Sequence, residues 1–194
     1  TNEQALEASI EKYLTGTCLE ELAAIRDSAA QVSVGSNHGY QLGRASDFNA
    51  RYAVDSRCLW QFLEASQGDE LERLKQRYDD WDLRILERFD RLAKKYGVLH
   101  LLKRGLAIDD VHLNLMYPAP LASSSARVKQ QFAANIFSST RQVRYSLSNP
   151  LEEIDLVLFI NGLPFATLEL KNPWTGQNAR YHGQKQYKQD RDTG

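Results

Sequence analysis

The spacing of apolar residues changes character along this chain. Near the start, Ala5, Leu6, Ile10, Tyr13 and Leu14 recur at helical intervals, with Asn2 placed to cap and Glu3 in the first turn. This predicts an amphipathic first helix with that apolar stripe turned inward. Glu7 follows Leu6 at the edge of the stripe, where it either reaches into a site or stays on the helix surface. Gly35 to Asn49 is rich in Gly, Ser and Asn and reads as loop. From Asp55 to about Leu102 the period is helical again: Leu59, Phe62 and Leu63, then Leu71, Leu74 and Tyr78, then Leu83, Leu86, Phe89, Leu92 and Ala93. Charges of both signs fill the gaps, so two or three packed helices are predicted, with breaks at Gly97 and Gly105. Their leucine and aromatic stripes are core positions and not a cofactor pocket.

Beyond Val111 the period falls to two. Val111, Leu113 and Leu115 alternate with His112 and Asn114 before Pro118-Ala119-Pro120, and Leu121 to Ser125 reads as loop. Val143, Tyr145 and Leu147 form a second alternating run ahead of Asn149-Pro150. Ile154 to Ile160 and Phe165 to Leu170 make a third and fourth strand, joined through Asn161-Gly162, the strongest hairpin signal in the chain. Ala179 to about Asp190 reads as a closing helix. No internal repeat is present. The sum is an α+β pattern, with helices from Asp55 to about Leu102 and strands beyond Val111.

Composition narrows this further. With 194 residues, 42% of them apolar and 10% aromatic, the chain can bury a real core, and a single domain over 1–194 is expected. Cys18 and Cys58 lie in no metal-ligand spacing, which argues against a zinc site and against a disulfide scaffold. No apolar run approaches the roughly 20 residues needed to cross a bilayer, and the amino terminus is polar and acidic, unlike a signal peptide. No membrane partner is expected, and a cytoplasmic location is. The chain starts without Met and ends directly after a helical pattern, so it is expected to be part of something longer. The net charge of −1 hides a run from Leu121 to Asn149 that holds Arg127, Lys129, Arg141 and Arg144 and no acid. Such a run is either a phosphate-facing surface or an ordinary solvated one.

Candidate chemistry concentrates in the hairpin. Phe165, Thr167, Glu169 and Lys171 share one strand face, so a carboxylate and an ammonium point to one side. On the preceding strand Asp155 shares its face with Val157 and Phe159. A strict two-residue Asn161-Gly162 turn pairs Ile160 with Leu163, sets Asp155 opposite Leu168 and puts Glu169 on the other side of the sheet. A three-residue loop, Asn161 to Leu163, pairs Asp155 with Glu169, and the same-face register, or a bulge that achieves it, is the expectation. Two carboxylates on one face suit a hard cation such as Mg2+, with the Leu170 carbonyl as a further oxygen and Lys171 stabilising an attacking water or developing phosphorane charge. The competing reading is a salt-bridged sheet in which Lys171 pairs with Asp155 or Glu169. The closing helix adds Arg180, Tyr181, Gln184, Lys185, Tyr187, Lys188 and Arg191, either a DNA-backbone surface or the wet side of a helix. None of the four histidines forms a ligand pair, His182 alone lies near the site in sequence, and no phosphate-binding glycine loop is present.

These residues carry a resemblance. The blocks Asn135-Ile-Phe, Arg141-Gln-Val-Arg-Tyr145, Ile154-Asp155-Leu-Val-Leu-Phe-Ile-Asn-Gly-Leu-Pro164 and Leu168-Glu-Leu-Lys-Asn-Pro173 resemble the amino-terminal endonuclease domain of the restriction (R) subunit of type I restriction-modification enzymes. Leu6-Glu7, Gly39-Tyr40 with Gly43, Asp47-Phe48 and Leu59 to Gln67 also resemble family features. The resemblance implies an α+β fold, a restriction-endonuclease-like PD-(D/E)xK core with a mixed α/β sheet flanked by helices and a helical insertion at about 55–105. It places Asp155, Glu169 and Lys171 at the motif's acid, acid and lysine positions and Glu7 at its occasional helical glutamate. Two departures stand out: Ile154 replaces the motif proline, and Gln184-Lys-Gln-Tyr187 is one residue shorter than the Gln-x-x-x-Tyr of related nucleases, which weakens Gln184 and Tyr187 as accessory residues.

The resulting expectation is a Mg2+-dependent endonuclease domain that cuts double-stranded DNA without sequence recognition of its own. Its implied partners are DNA and the specificity and methyltransferase subunits of a restriction complex. Asp155, Glu169 and Lys171 are the catalytic candidates, Asp155, Glu169 and Leu170 the metal ligands, and Arg141, Arg144, Arg180, Lys185 and Lys188 the DNA contacts. ATP belongs to the motor that follows in the family and lies outside this sequence. The rivals are a repair or recombination nuclease of the same fold, and a DNA-binding or docking module of a DNA motor.

Overall fold

A computed structural model describes residues 3–27, 39–149 and 151–170. The fold is α+β, as expected, and the chain divides into two compact units, each assembled from separate stretches of sequence.

The first unit comprises Thr1–Ala50, Ser138–Leu158 and Ala166–Gly194. Its described elements begin with α1 (Glu3–Thr15) and α2 (Leu19–Asp27), followed by β1 (Tyr40–Leu42), a 3-10 turn at Ala45–Asp47 and β2 (Phe48–Asn49). The short strands stand inside the stretch read as loop. After the short strands β3 (Val54–Asp55), β4 (Leu106–Ile108) and β5 (Val111–Leu113), strands β6 (Phe137–Arg144), β7 (Glu153–Ile160) and β8 (Leu163–Leu168) join β1 in a four-stranded sheet of order β1-β6-β7-β8.

Strand β6 is interior to that sheet and begins six residues before the predicted run at Val143. Ser138, Ser139, Thr140 and Arg141 are all buried, so hydrophobicity gives no sign of this strand. A positive φ of 53° at Gln142 interrupts the alternation just where the sequence pattern starts. Helix α1 forms as predicted but turns the other way. Its buried residues are Glu7, Glu11 and Thr15, spaced four apart on one face, whereas Leu6 and Tyr13 are 44% and 65% exposed. The inward stripe of α1 is thus polar, which corrects the apolar expectation.

The second unit is Arg51–Phe137 with Phe159–Phe165. Helices α3 (Ser56–Ser66), α4 (Gly68–Arg77), α5 (Trp81–Tyr96) and α6 (Val98–Arg104) fill the insertion expected at about 55–105, four helices where two or three were predicted. Asp55 caps α3 by accepting from the Cys58 N–H at 2.9 Å. Gly97 and Gly105 end α5 and α6 with φ of 83° and 72°, a left-handed backbone that glycine adopts without a Cβ penalty. The core gathers Leu59, Phe62, Leu63, Leu71, Leu74, Ile85 and Phe89 with Leu101, Leu106, Leu113 and Leu163. Strands β4 and β5 pair antiparallel with Leu106 opposite Leu113. Helix α7 (Ala126–Ala133), capped by Ser125, follows and was not read from sequence.

The hairpin turn sits in this unit and is held from three directions. Asn161 is fully buried, donates from Nδ2 to the Leu115 carbonyl at 2.9 Å and accepts from the Ile136 N–H at 2.7 Å. The Gly162 carbonyl accepts from the Asp55 N–H at 2.8 Å. Strand β7 ends at Ile160 and β8 starts at Leu163, with φ of 52° at Asn161 and 78° at Gly162. Two positive φ values make this a two-residue turn of the primed kind, which corrects the expected three-residue loop. The physical reason is in the side chain: Asn161 tolerates the left-handed region and locks it with buried hydrogen bonds.

Candidate functional site

Counted inward from a two-residue turn without a bulge, Asp155 falls opposite Leu168, the register that sequence reasoning associates with failure of the site. Strand β8, however, ends at Leu168, so strict alternation no longer governs Glu169 and Leu170. Beyond that point the chain turns to the aspartate: the Leu170 N–H donates to Asp155 Oδ2 at 2.6 Å. Asp155 and Glu169 are both half-buried, and Glu169 immediately precedes the residue that Asp155 holds. Thus the acid of β7 is held just past the end of β8 by a backbone hydrogen bond.

A second acid approaches from α1. Burial pushes the Glu7 carboxyl upward, Arg141 opposes this by hydrogen bond and charge, and the negative charges of Asp155 and Glu153 add to the rise. Glu7 therefore lies within electrostatic reach of Asp155. Its position follows from the polar face of α1, since Glu7, Glu11 and Thr15 stand one above another toward the interior.

Arg141 organises that face. Its Nε donates to Glu7 Oε2 at 3.0 Å, and its Nη1 donates to both oxygens of Glu20, at 2.8 and 2.9 Å, and lies 3.4 Å from Glu11 Oε2. Glu11 Oε2 also accepts from the Leu19 N–H at 3.1 Å, at the start of α2. Burial pushes the Glu11 carboxyl up against the opposing Leu19 and Arg141 interactions. For Glu20 the balance is reversed: burial resists, but the Arg141 hydrogen bonds and charge hold its carboxyl below the ordinary range. Arg141 itself is held above its ordinary value, with Glu20 and Glu7 outweighing the burial that opposes charge.

This placement revises the basic run read from sequence. Arg141, expected to face DNA, is 5% exposed and committed to three carboxylates. Arg144 is exposed on β6, its Nε 3.9 Å from Glu153. Glu11 and Glu20 were not foreseen as part of the site. The available signal was the four-residue spacing of Glu7 and Glu11 together with an acid-free basic run that includes Arg141. Lys171, Arg180, His182, Gln184, Lys185, Tyr187 and Lys188, together with the closing helix, lie outside the described residues.

The donor chemistry is that of a hard cation. Asp155 retains Oδ1 after Oδ2 accepts from Leu170, and among the described residues the carboxyl groups of Glu7, Glu11 and Glu20 outnumber the one guanidinium they share, that of Arg141. Among the described residues no three His, Cys, Asp or Glu side chains converge into a cage. An all-protein cage is what Mg2+ does not require, because it keeps several waters and takes one or two carboxylates. Among the same residues, no helix is long and apolar enough to cross a membrane.

No curated protein and no solved structure matches the chain. A match does come from a family, described as Type I restriction enzyme R protein N terminus (HSDR_N), and it covers residues 33–194. That span includes the hairpin, Asp155, Glu169 and Arg141, and it takes in most of the sequence, so the chain belongs to the family of type I restriction enzyme R protein N-termini.

Proposed function

We propose that this domain is a Mg2+-dependent endonuclease that hydrolyses phosphodiester bonds of double-stranded DNA, with target choice supplied by partner subunits of a restriction complex. Family membership supports the restriction-system setting and nuclease activity. The observation that carries the site is the hydrogen bond from the Leu170 N–H to Asp155 Oδ2. It ties the β7 aspartate to the Glu169-Leu170 segment beyond the end of β8, where strand alternation no longer sets the facing.

In this reading Asp155 presents its remaining oxygen to the cation, and Glu169, one residue before the Leu170 anchor, contributes the second carboxylate. Bound Mg2+ supplies Lewis-acid stabilisation of the phosphate and lowers the pKa of an attacking water. The Leu170 N–H neutralises part of the Asp155 charge and fixes which oxygen faces outward, a preorganisation of the ligand before substrate arrives. Lys171 follows Leu170 in sequence and is assigned, on sequence grounds, to the charge that develops on the phosphoryl oxygens. Arg144, exposed on β6, is assigned to the DNA backbone.

The test is cleavage by the assembled restriction enzyme carrying Asp155→Asn, Glu169→Gln or Lys171→Ala, with ATP hydrolysis followed in parallel. The proposal expects loss of cutting with ATP hydrolysis and DNA binding retained. Full cutting by Asp155→Asn would refute it, and lost assembly in all three variants would favour a docking module.

A further inference from the structure

Resting on the nuclease reading above, we infer that Arg141 is a positioning residue: held by Glu20 and Glu11, it fixes the Glu7 carboxylate so that Glu7 and Asp155 meet one divalent cation. The geometry is specific to a guanidinium. One nitrogen, Nε, donates to Glu7 at 3.0 Å, while Nη1 is occupied by both oxygens of Glu20 at 2.8 and 2.9 Å. The planar fork is thereby oriented from the Glu20 side and presents its Nε edge to Glu7. A lysine ammonium, a single point charge, cannot span both partners in that way.

Charge count separates this arrangement from a device for stability alone. Arg141 is 5% exposed and Glu7 and Glu11 are 4% and 0% exposed, so two nearly fully buried carboxyl groups share one nearly fully buried guanidinium. Buried ion pairs are weak stabilisers even when balanced, because desolvation offsets their attraction. Here the cluster is not balanced: among the described residues three carboxyl groups, those of Glu7, Glu11 and Glu20, share Arg141, and Glu11 Oε1 is buried without a hydrogen-bond partner. Asp155 adds its charge toward Glu7. An excess of oxygen donors around a fixed carboxylate is the surrounding that a hard cation completes. The clamp also ties together the elements that build the site: α1 through Glu7 and Glu11, the start of α2 through the Leu19 N–H and Glu20, and interior strand β6 through Arg141 itself.

The experiment uses the full R subunit in the assembled restriction complex and follows DNA cleavage as a function of Mg2+, with ATP hydrolysis titrated over the same range as an internal control. Glu20→Gln is the variant least able to disturb folding, since its side chain is 56% exposed. It is expected to raise the Mg2+ concentration that half-saturates cleavage by about threefold, and Arg141→Lys by about tenfold or more, the range seen when the partner of a metal-ligating group is removed. In both, the half-saturating Mg2+ for ATP hydrolysis stays unchanged, and excess Mg2+ restores cutting by Glu20→Gln. A uniform fall in cleavage with no shift in Mg2+ dependence would overturn the inference and leave Arg141 a structural residue, as would Arg141→Lys behaving like the unaltered enzyme. Should Arg141→Lys fail to assemble, Glu20→Gln decides. Normal cutting by Asp155→Asn in the same series would bring down the nuclease reading itself, an outcome separate from failure of the clamp.

Discussion

Asn161→Ala removes the side chain that locks the hairpin, and its cost can be worked from three hydrogen bonds. Asn161 is 0% exposed, and its amide accepts from the Ile136 N–H at 2.7 Å and donates to the Leu115 carbonyl at 2.9 Å and to Asn135 Oδ1 at 3.0 Å. Alanine strands the Ile136 N–H and the Leu115 carbonyl inside the protein, at about 1–3 kcal/mol each. It also places a Cβ without compensation at a φ of 52°, which costs about 1–2 kcal/mol. The sum is about 3–8 kcal/mol against a total stability of about 5–15 kcal/mol, so the variant stands near the edge of folding. Asn161→Gly removes the same hydrogen bonds but not the backbone preference, and should recover about 1–2 kcal/mol relative to alanine. Urea denaturation of the 194-residue chain measures both. If Asn161→Ala costs less than about 1 kcal/mol, or if glycine is no better than alanine, the turn is not held by these bonds and the register argument for Asp155 loses its anchor.

Other predictions follow from single positions. Gly162→Ala would put a Cβ 2.3 Å from the Asp55 carbonyl and 2.7 Å from the Leu59 nitrogen at a φ of 78°, so it should destabilise by at least about 2 kcal/mol in the same urea assay. Arg141→Met leaves Glu7 and Glu11 buried without their cation and should cost about 3–5 kcal/mol, whereas the triple variant with Glu7→Gln and Glu11→Gln should recover much of the loss; no recovery would mean the cluster is not coupled. The raised pKa values of Glu7 and Glu11 mean that the folded state keeps their protons while the unfolded chain releases them, from the ordinary 4.5 upward. Their contribution to stability is therefore greatest at low pH and is lost as pH rises through the elevated native values, and Glu7→Gln with Glu11→Gln should flatten that slope in urea midpoints taken across the range.

The architecture was legible where apolar periodicity reports burial. The helices of the insertion, their breaks at Gly97 and Gly105, strand β7 and the Asn161-Gly162 turn all follow from residue spacing. The site was less legible because it is built from buried polar groups. Strand β6 enters the middle of a sheet as Ser138, Ser139, Thr140 and Arg141, and α1 turns Glu7, Glu11 and Thr15 inward while Leu6 and Tyr13 face out. Both invert the usual reading of pattern, and both depend on partners far away in sequence: Glu7 and Arg141 are 134 residues apart. Register alone does not place Glu169, for a related reason. Alternation predicts faces only while a strand lasts, and β8 stops at Leu168, one residue short of Glu169. What brings the segment back to Asp155 is a backbone N–H, which no side-chain pattern encodes.

The central claim is that Asp155, held by Leu170, is a cation ligand, and anomalous scattering from a crystal soaked in Mn2+ tests it most directly, with Asp155→Asn as the control. The account predicts a peak in contact with Asp155 Oδ1 and the Glu169 carboxylate that vanishes in the control. The absence of any peak there, with both carboxylates free of lattice contacts and Lys171 bonded to one of them, would contradict it and leave the acids as partners in a salt-bridged sheet.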